Sequence, residues 1–112
     1  MSKHDPRVTL RQMRDHAREA LEMARGRARR HLDADRTFCL ALVRLLEVLG
    51  EAASRVPIDI RARLATIPWA QVIGMRNRLI HTYDEVDLDV VWRVATDDLE
   101  PLVSALDREL ER

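Results

Sequence analysis

Four polar residues between positions 76 and 83 are of the types that handle phosphates and protons: Arg76, Asn77, His81 and Tyr83. The guanidinium of Arg76 can hold a phosphate through two parallel hydrogen bonds. His81 can act as a general base or a general acid, because a free imidazole titrates near about pH 6.5. The residue types and their spacing therefore indicate a candidate site for acid–base chemistry on a phosphorylated substrate.

Arg76 also has a structural explanation. On a regular helix running from Val72 to Tyr83, at about 100° per residue, Arg76 lies in the middle of a stripe of Val, Ile and Leu side chains, and Tyr83 is about 20° away. A buried guanidinium is costly unless it is paired. The sequence thus predicts either a buried ion pair between Arg76 and Glu47 or Glu51, or a functional cleft around Arg76.

His81 and Tyr83 have structural alternatives as well. On the same helix His81 is about 40° from Asn77 and about 140° from Arg76, so the motif shares one face only if the helix ends near Thr82. A lone histidine at a helix C-terminus commonly just interacts with the helix dipole. Tyr83 alone is typical of an interfacial aromatic side chain whose hydroxyl finds a hydrogen bond.

The composition favours packed helices in a single domain, residues 1–112. Hydrophobic residues make up 46% of the chain, charged residues 34% and aromatic residues 4%. The 19 basic and 19 acidic residues give a formal net charge of +0. Because no overall field attracts polyanions, any nucleic-acid site has to be local.

The periodicity of apolar residues predicts an all-α fold that positions the motif. The expected segments are a helix from Asp5 to about residue 29, a second from Asp33 or Asp35 to about 56, a short helix or turn at 58–67, a helix beginning near 68, and a last helix from Asp87 or Asp89 to about 109. Pro101 should distort the last helix.

The second helix is expected to be central, because its apolar residues cover nearly the whole circumference. Its polar exceptions fall on one narrow arc: Arg44, Glu47, Glu51 and Ser54. Two carboxylates one turn apart could bind a metal, but pairing with arginines of a neighbouring helix is favoured, since a buried carboxylate needs a partner.

The lone Cys39 lies in an apolar run, which predicts a buried core thiol with no intrachain disulfide. The chain holds no apolar stretch of 18 residues, and its start lacks the apolar core of a signal peptide. We therefore expect a cytoplasmic protein without membrane association.

Several segments carry a resemblance in order and spacing. Arg76, His81 and Tyr83 follow Leu45 to Ala53, then Ile67-Pro68-Trp69, then Gly74 and Met75. This ordered set resembles the HEPN superfamily, specifically the HepT ribonuclease toxins paired with nucleotidyltransferase antitoxins of the MntA type. The resemblance runs from the first helix to about Pro101.

The resemblance implies an HEPN-type bundle of four to five helices and an RNase that needs neither metal nor cofactor. It implies that Arg76 and His81 form the catalytic pair, that Asn77 supports them, and that Tyr83 accepts AMP from the antitoxin in a type VII-like toxin–antitoxin system. An alternative is a non-catalytic HEPN adaptor that binds nucleotide or a nucleotidyltransferase partner.

Metal-free RNA cleavage by attack of the ribose 2′-hydroxyl needs a general base, a general acid and positive charge on the phosphate oxygens. The motif supplies one histidine per chain, so a second protonation role is expected from a homodimer that brings two copies of Arg76, Asn77 and His81 across one cleft. AMP on Tyr83 would add a bulky anion beside that cleft.

Overall fold

The computed structural model describes residues 5–82 and 85–112, and it is dominated by helices. The elements are α1 (Pro6–Ala24), α2 (His31–Ala34), α3 (Arg36–Ser54), α4 (Ile58–Arg63), α5 (Trp69–Ile73), α6 (Met75–Leu79), β1 (Ile80–Thr82), β2 (Glu85–Val86), α7 (Leu88–Arg93), a π-helical turn (Val94–Asp98) and α8 (Leu99–Leu110). The all-α prediction is confirmed.

Aspartates begin three of these helices. The Asp5 side chain accepts a hydrogen bond from a backbone N–H in the first turn of α1, and Pro6 occupies the first helical position. Asp35 caps α3 and Asp87 caps α7 in the same way. The structure therefore selects Asp35 and Asp87 from the two pairs of caps that the sequence allowed.

The first helix ends earlier than predicted. α1 stops at Ala24 rather than near residue 29, and Gly26 adopts a left-handed φ of 78°. Such a φ favours glycine, and a glycine in that conformation is a common helix terminator. The arginines that follow lie in a turn and lead into the short α2.

The α3 helix is central, as predicted. It packs against α1, α2, α5 and α6, and Leu42, Leu46 and Leu49 on it are fully buried. Its predicted polar arc faces solvent, with Glu47 partly covered. Cys39 is half-buried at the edge of the core rather than fully buried, and its burial raises the pKa of the thiol.

Gly50 allows the backbone of α3 to approach the junction of α5 and α6. A Cβ atom on Gly50 would lie 2.8 Å from the carbonyl oxygen of Val72 and 3.0 Å from the Cβ of Met75. Contacts that short do not fit an extra methyl group without a shift of backbone. Glycine at this position therefore fixes how closely α6 can lie against α3.

The predicted distortion around Pro101 takes the form of a π-helical turn. Pro101 lies in the first turn of α8, directly after the turn Val94–Asp98. The proline has no N–H for the carbonyl of Asp97, and its ring would clash with that carbonyl in a regular α-helix. The N–H of Leu99 instead bonds to the carbonyl of Val94, five residues earlier.

In the part of the chain that the structure describes, no helix combines the length and the apolar character needed to span a membrane.

Candidate functional site

The motif segment is not one regular helix, which corrects the prediction of a continuous helix from 72 to 83. α5 ends at Ile73, α6 begins at Met75, and the chain becomes extended at Ile80. Gly74 separates the two helices, and β1 then pairs antiparallel with β2 through Ile80 and Val86. The helix end that the site was expected to need is therefore present, but at Leu79 rather than near Thr82.

Arg76 lies at the surface rather than in the middle of the expected apolar stripe. α6 buries Met75 and Leu79, one turn apart, with exposures of 2% and 0%. Arg76 lies between them in sequence, but its side chain is 80% exposed. The helical-wheel prediction was wrong because it centred the buried face on Arg76, whereas α5 and α6 bury Val72, Met75 and Leu79.

The predicted partner of Arg76 is Glu47, although the pair is not buried. Arg76 Nε lies 3.9 Å from Glu47 Oε2, and Arg44 Nη1 lies 3.9 Å from Glu47 Oε1. We call Arg44, Glu47 and Arg76 the Glu47 cluster. Glu51, the other candidate partner, is exposed on the next turn of α3. The cluster has two positive charges around one negative charge and faces solvent.

Both contacts in the Glu47 cluster are ion pairs without hydrogen bonds, because 3.9 Å exceeds hydrogen-bond distance. Among the described residues the Arg76 guanidinium has no other polar partner. The side chain is 80% exposed, and a guanidinium can hold a phosphate through its N–H donors. Asn77, the next residue on α6, is also exposed and lies at the same surface.

The remaining motif residues are only partly covered by the structure. The backbone of His81 lies in β1, two residues after α6 ends. The side chain of His81, and Tyr83 as a whole, lie outside the described residues. The pairing of Arg76 with His81 and the position of Tyr83 beside them therefore stay predictions.

Sequence reasoning missed Arg44 as a neighbour of the motif. Its position one turn before Glu47 on the polar arc of α3 was visible in the sequence. The side of α3 that would receive α6 was not visible, because that depends on the approach at Gly50. Arg44 is 66% exposed, so it can reach a ligand bound to Arg76.

A second arginine of α6 faces a different part of the molecule. Arg78 Nη2 donates to Asp98 Oδ2 at 3.4 Å, and both residues line a cavity of about 260 Å³ between α5, α6, the π-helical turn and α8.

The described residues contain no group of three or more His, Cys, Asp and Glu side chains arranged to hold a metal ion.

Comparison with known proteins gives one consistent result. Residues 13–109 match the model of a family described as "Ribonuclease HepT-like". A candidate RNase of Methanocaldococcus jannaschii is 28% identical over 99 residues, covering 88% of this chain and 91% of that protein. A candidate RNase of Caldanaerobacter subterraneus is 27% identical over 107 residues, 96% of each chain.

A protein of Thermococcus cleftensis named "Probable ribonuclease HepT" is 37% identical over 68 residues, which cover 61% of this chain and 62% of that protein. No solved structure matches the chain.

Proposed function

The chain belongs to the HepT-like ribonuclease family, and from this premise we propose that it is a metal-independent endoribonuclease acting as a cytoplasmic toxin. The observation that carries the proposal is the state of Arg76. Its guanidinium is 80% exposed and touches Glu47 only loosely, at 3.9 Å. An exposed arginine whose contact with Glu47 is long is suited to binding a phosphate of RNA.

In the proposed reaction the ribose 2′-oxygen attacks the adjacent phosphorus. The imidazole of His81 removes the 2′-hydroxyl proton as the new P–O bond forms, and the bond from phosphorus to the 5′-oxygen breaks. Arg76 stabilises the negative charge that develops on the non-bridging oxygens, and Asn77 adds a polar contact beside it. The products are a 2′,3′-cyclic phosphate and a free 5′-hydroxyl end.

The leaving 5′-oxygen needs a proton, and the motif supplies one histidine per chain. We therefore propose a two-fold homodimer in which the His81 of a second copy is the general acid. Arg76 and Asn77 are both exposed, which is compatible with a shared cleft at this surface. In this arrangement the dimer is part of the catalytic mechanism.

Regulation is proposed to act at Tyr83. An MntA-like nucleotidyltransferase antitoxin would transfer AMP from ATP to the tyrosine hydroxyl. The phenolic oxygen bonds to the α-phosphorus, its proton is released, and pyrophosphate leaves. Tyr83 directly follows β1, which itself follows the α6 helix that carries Arg76. The added nucleotide would place a negative charge and a bulky group close to the site that binds RNA.

The direct test incubates purified protein, free of antitoxin and AMP, with a mixed RNA pool in EDTA buffer. Wild-type protein should cleave, and Arg76→Ala and His81→Ala should each cleave at least about a hundredfold more slowly, as expected for loss of a transition-state donor or of the acid–base group. Arg25→Ala is a matched control. Arg25 is also an exposed arginine, at 66%, but it lies at the C-terminal end of α1 rather than in the motif. Thermal melting should be the same for all four proteins.

An intact RNA pool with the wild-type protein would reject the nuclease for the substrates tested. If the protein then still bound a nucleotidyltransferase partner, it would be an adaptor. The regulatory part is tested separately by the intact mass of protein co-expressed with its candidate antitoxin. Whole AMP units localised to Tyr83, and absent from Tyr83→Phe, would support it, whereas an unmodified Tyr83 in a silenced complex would reject it.

A further inference from the structure

We propose that Glu47 is a positioning residue that orients the guanidiniums of Arg76 and Arg44 together, and that Arg44 is a further RNA-binding residue. The inference rests on the proposed ribonuclease function, and it extends the site from α6 onto α3. It assigns a role to a carboxylate that would otherwise weaken the attraction of this surface for RNA.

The geometry places one carboxylate between two arginines of different helices. Glu47 uses Oε1 toward Arg44 Nη1 and Oε2 toward Arg76 Nε, at 3.9 Å in each case. Because both nitrogens lie close to oxygens of the same carboxylate, the two guanidiniums are neighbours on the surface. A phosphate bound to one of them is within reach of the other.

The exposures of the three side chains separate their roles. Glu47 is 21% exposed, whereas Arg44 and Arg76 are 66% and 80% exposed. The carboxylate is thus held at the protein surface while the arginines extend past it into solvent. Exposed ion pairs of this kind add little to stability. The arrangement is better explained by orientation of the arginines than by stabilisation of the fold.

The backbone beneath the cluster is fixed. Gly50, one turn after Glu47, lets α3 approach the backbone of Val72 and the side chain of Met75. Met75 and Leu79 anchor α6 in the core. The flexible parts of the cluster are therefore the two arginine side chains. A nearby carboxylate restricts their rotamers, which favours the orientation that they need toward the reacting phosphate in the transition state.

This arrangement predicts opposite effects of Glu47 on binding and on catalysis. Glu47 repels RNA phosphates, so its removal should strengthen binding. It also orients Arg76 toward the reacting phosphate, so its removal should slow cleavage. A residue that only stabilised the fold would not show this combination.

The experiment compares Glu47→Gln and Arg44→Ala with the wild type in two assays. Binding is measured with 2′-O-methyl RNA, which lacks the attacking hydroxyl and cannot be cleaved, and kcat and KM are measured with the corresponding RNA. The controls are Glu22→Gln and Arg25→Ala. Glu22 and Arg25 form another i,i+3 ion pair, with a distance of 3.5 Å and exposures of 62% and 66%. Glu22 lies in the last turn of α1, and Arg25 is the residue that ends the helix.

For Arg44→Ala we expect weaker binding, a several-fold higher KM and an unchanged kcat. The slope of log K against log salt should become less negative by about 0.7, which corresponds to one lost contact with a single-strand phosphate. For Glu47→Gln we expect binding about threefold tighter and a kcat about tenfold lower. The control variants should match the wild type in both assays.

An unchanged salt slope in Arg44→Ala would overturn the role of Arg44. A wild-type kcat in Glu47→Gln, or binding that is unchanged or weaker, would overturn the positioning role. These outcomes are distinct from failure of the proposed function, in which the wild type itself would not cleave. In that case binding to 2′-O-methyl RNA still decides whether Arg44 and Glu47 act on RNA as proposed.

Discussion

Two glutamates of this protein are each flanked by two arginines, and the two groups differ in how the arginines are used. Glu109, on α8, is 6% exposed, and its Oε2 accepts a hydrogen bond from Arg63 Nη2 at 2.8 Å. Arg112 Nη1 lies 3.6 Å from the other oxygen, without a hydrogen bond. In the Glu47 cluster both contacts are 3.9 Å and the carboxylate is 21% exposed.

The difference follows from burial. A carboxylate removed from water has to be paired, so Glu109 binds the donors of Arg63 and thereby joins α4 to α8. Glu47 keeps part of its hydration, so it can influence its arginines without using their N–H donors. The same combination of one glutamate and two arginines thus forms a structural contact between α4 and α8 and a candidate ligand site beside α6.

The largest expected effect comes from Gly50→Ala, which disturbs the Glu47 cluster and leaves the Glu109 group in place. The new Cβ would lie 2.8 Å from the Val72 carbonyl oxygen, so α5 and α6 must move away from α3. We expect the free energy of unfolding to fall by about 1–3 kcal/mol. Cleavage should fall as well, because Arg76 moves with α6.

Denaturant unfolding and RNA cleavage measure the two effects of Gly50→Ala. Ser54→Ala, at an exposed position of the same helix, is the control and should stay within about 0.5 kcal/mol of the wild type. Wild-type stability in Gly50→Ala would show that the approach of α3 to the α5–α6 junction is looser than these distances indicate.

The next effect in size is that of Arg63→Ala. This change leaves the buried Glu109 without its 2.8 Å hydrogen bond, and we expect a loss of about 2 kcal/mol in the free energy of unfolding. Binding to 2′-O-methyl RNA should not change. The exposed Arg11→Ala is a control for loss of a positive charge. If Arg63→Ala weakened RNA binding more than Arg11→Ala, the Glu109 group would not be purely structural.

Glu47→Ala should have a much smaller effect on stability than Arg63→Ala. Because its two ion pairs are long and solvated, the free energy of unfolding should change by less than about 0.5 kcal/mol. The measurement is chemical denaturation alongside Arg63→Ala. A loss as large as that of Arg63→Ala would mean that Glu47 stabilises the fold as Glu109 does. The proposed difference between the two glutamates would then be wrong.

The sequence predicted more of the fold than of the site. Local signals were sufficient for the cap at Asp5 and the polar arc of α3, because each depends on residues within one helix. They narrowed the other two caps to Asp33 or Asp35 and to Asp87 or Asp89. The exposure of Arg76 was predicted wrongly, since the wheel centred the buried face on Arg76, whereas the core contains Val72, Met75 and Leu79.

The choice between Glu47 and Glu51 as the partner of Arg76 could not be made from one helix. It depends on how α6 lies along α3, and that depends on the contact of Gly50 with backbone and side-chain atoms some 20 residues later in the chain. Long-range contacts of this kind leave no periodic signal in a single sequence. The sequence alone therefore could not decide between the two glutamates, because the packing of α6 on α3 determines which one Arg76 reaches.

A third carboxylate, Asp35, gives the smallest expected effect and sharpens the comparison by its pH dependence. The pKa of Asp35 is lowered, first by the N–H of Phe38 and then by the side chain of Arg27. A carboxyl with a depressed folded-state pKa contributes stability above its unfolded pKa of about 4, and that contribution is lost as the pH falls through the lower folded value. Asn caps helices about as well as Asp, so Asp35→Asn should melt close to the wild type at neutral pH.

Charged Asp35 should give the wild type a small excess of thermal stability over Asp35→Asn at neutral pH. Below about pH 4 that excess should disappear, because protonation neutralises Asp35 and asparagine is neutral at every pH. Thermal melting of both proteins between pH 7 and pH 2 measures this convergence. A constant difference across that range would mean that the cap at α3 acts through its shape alone. Asp35 would then resemble Glu47, whose charge is proposed to matter for RNA rather than for folding.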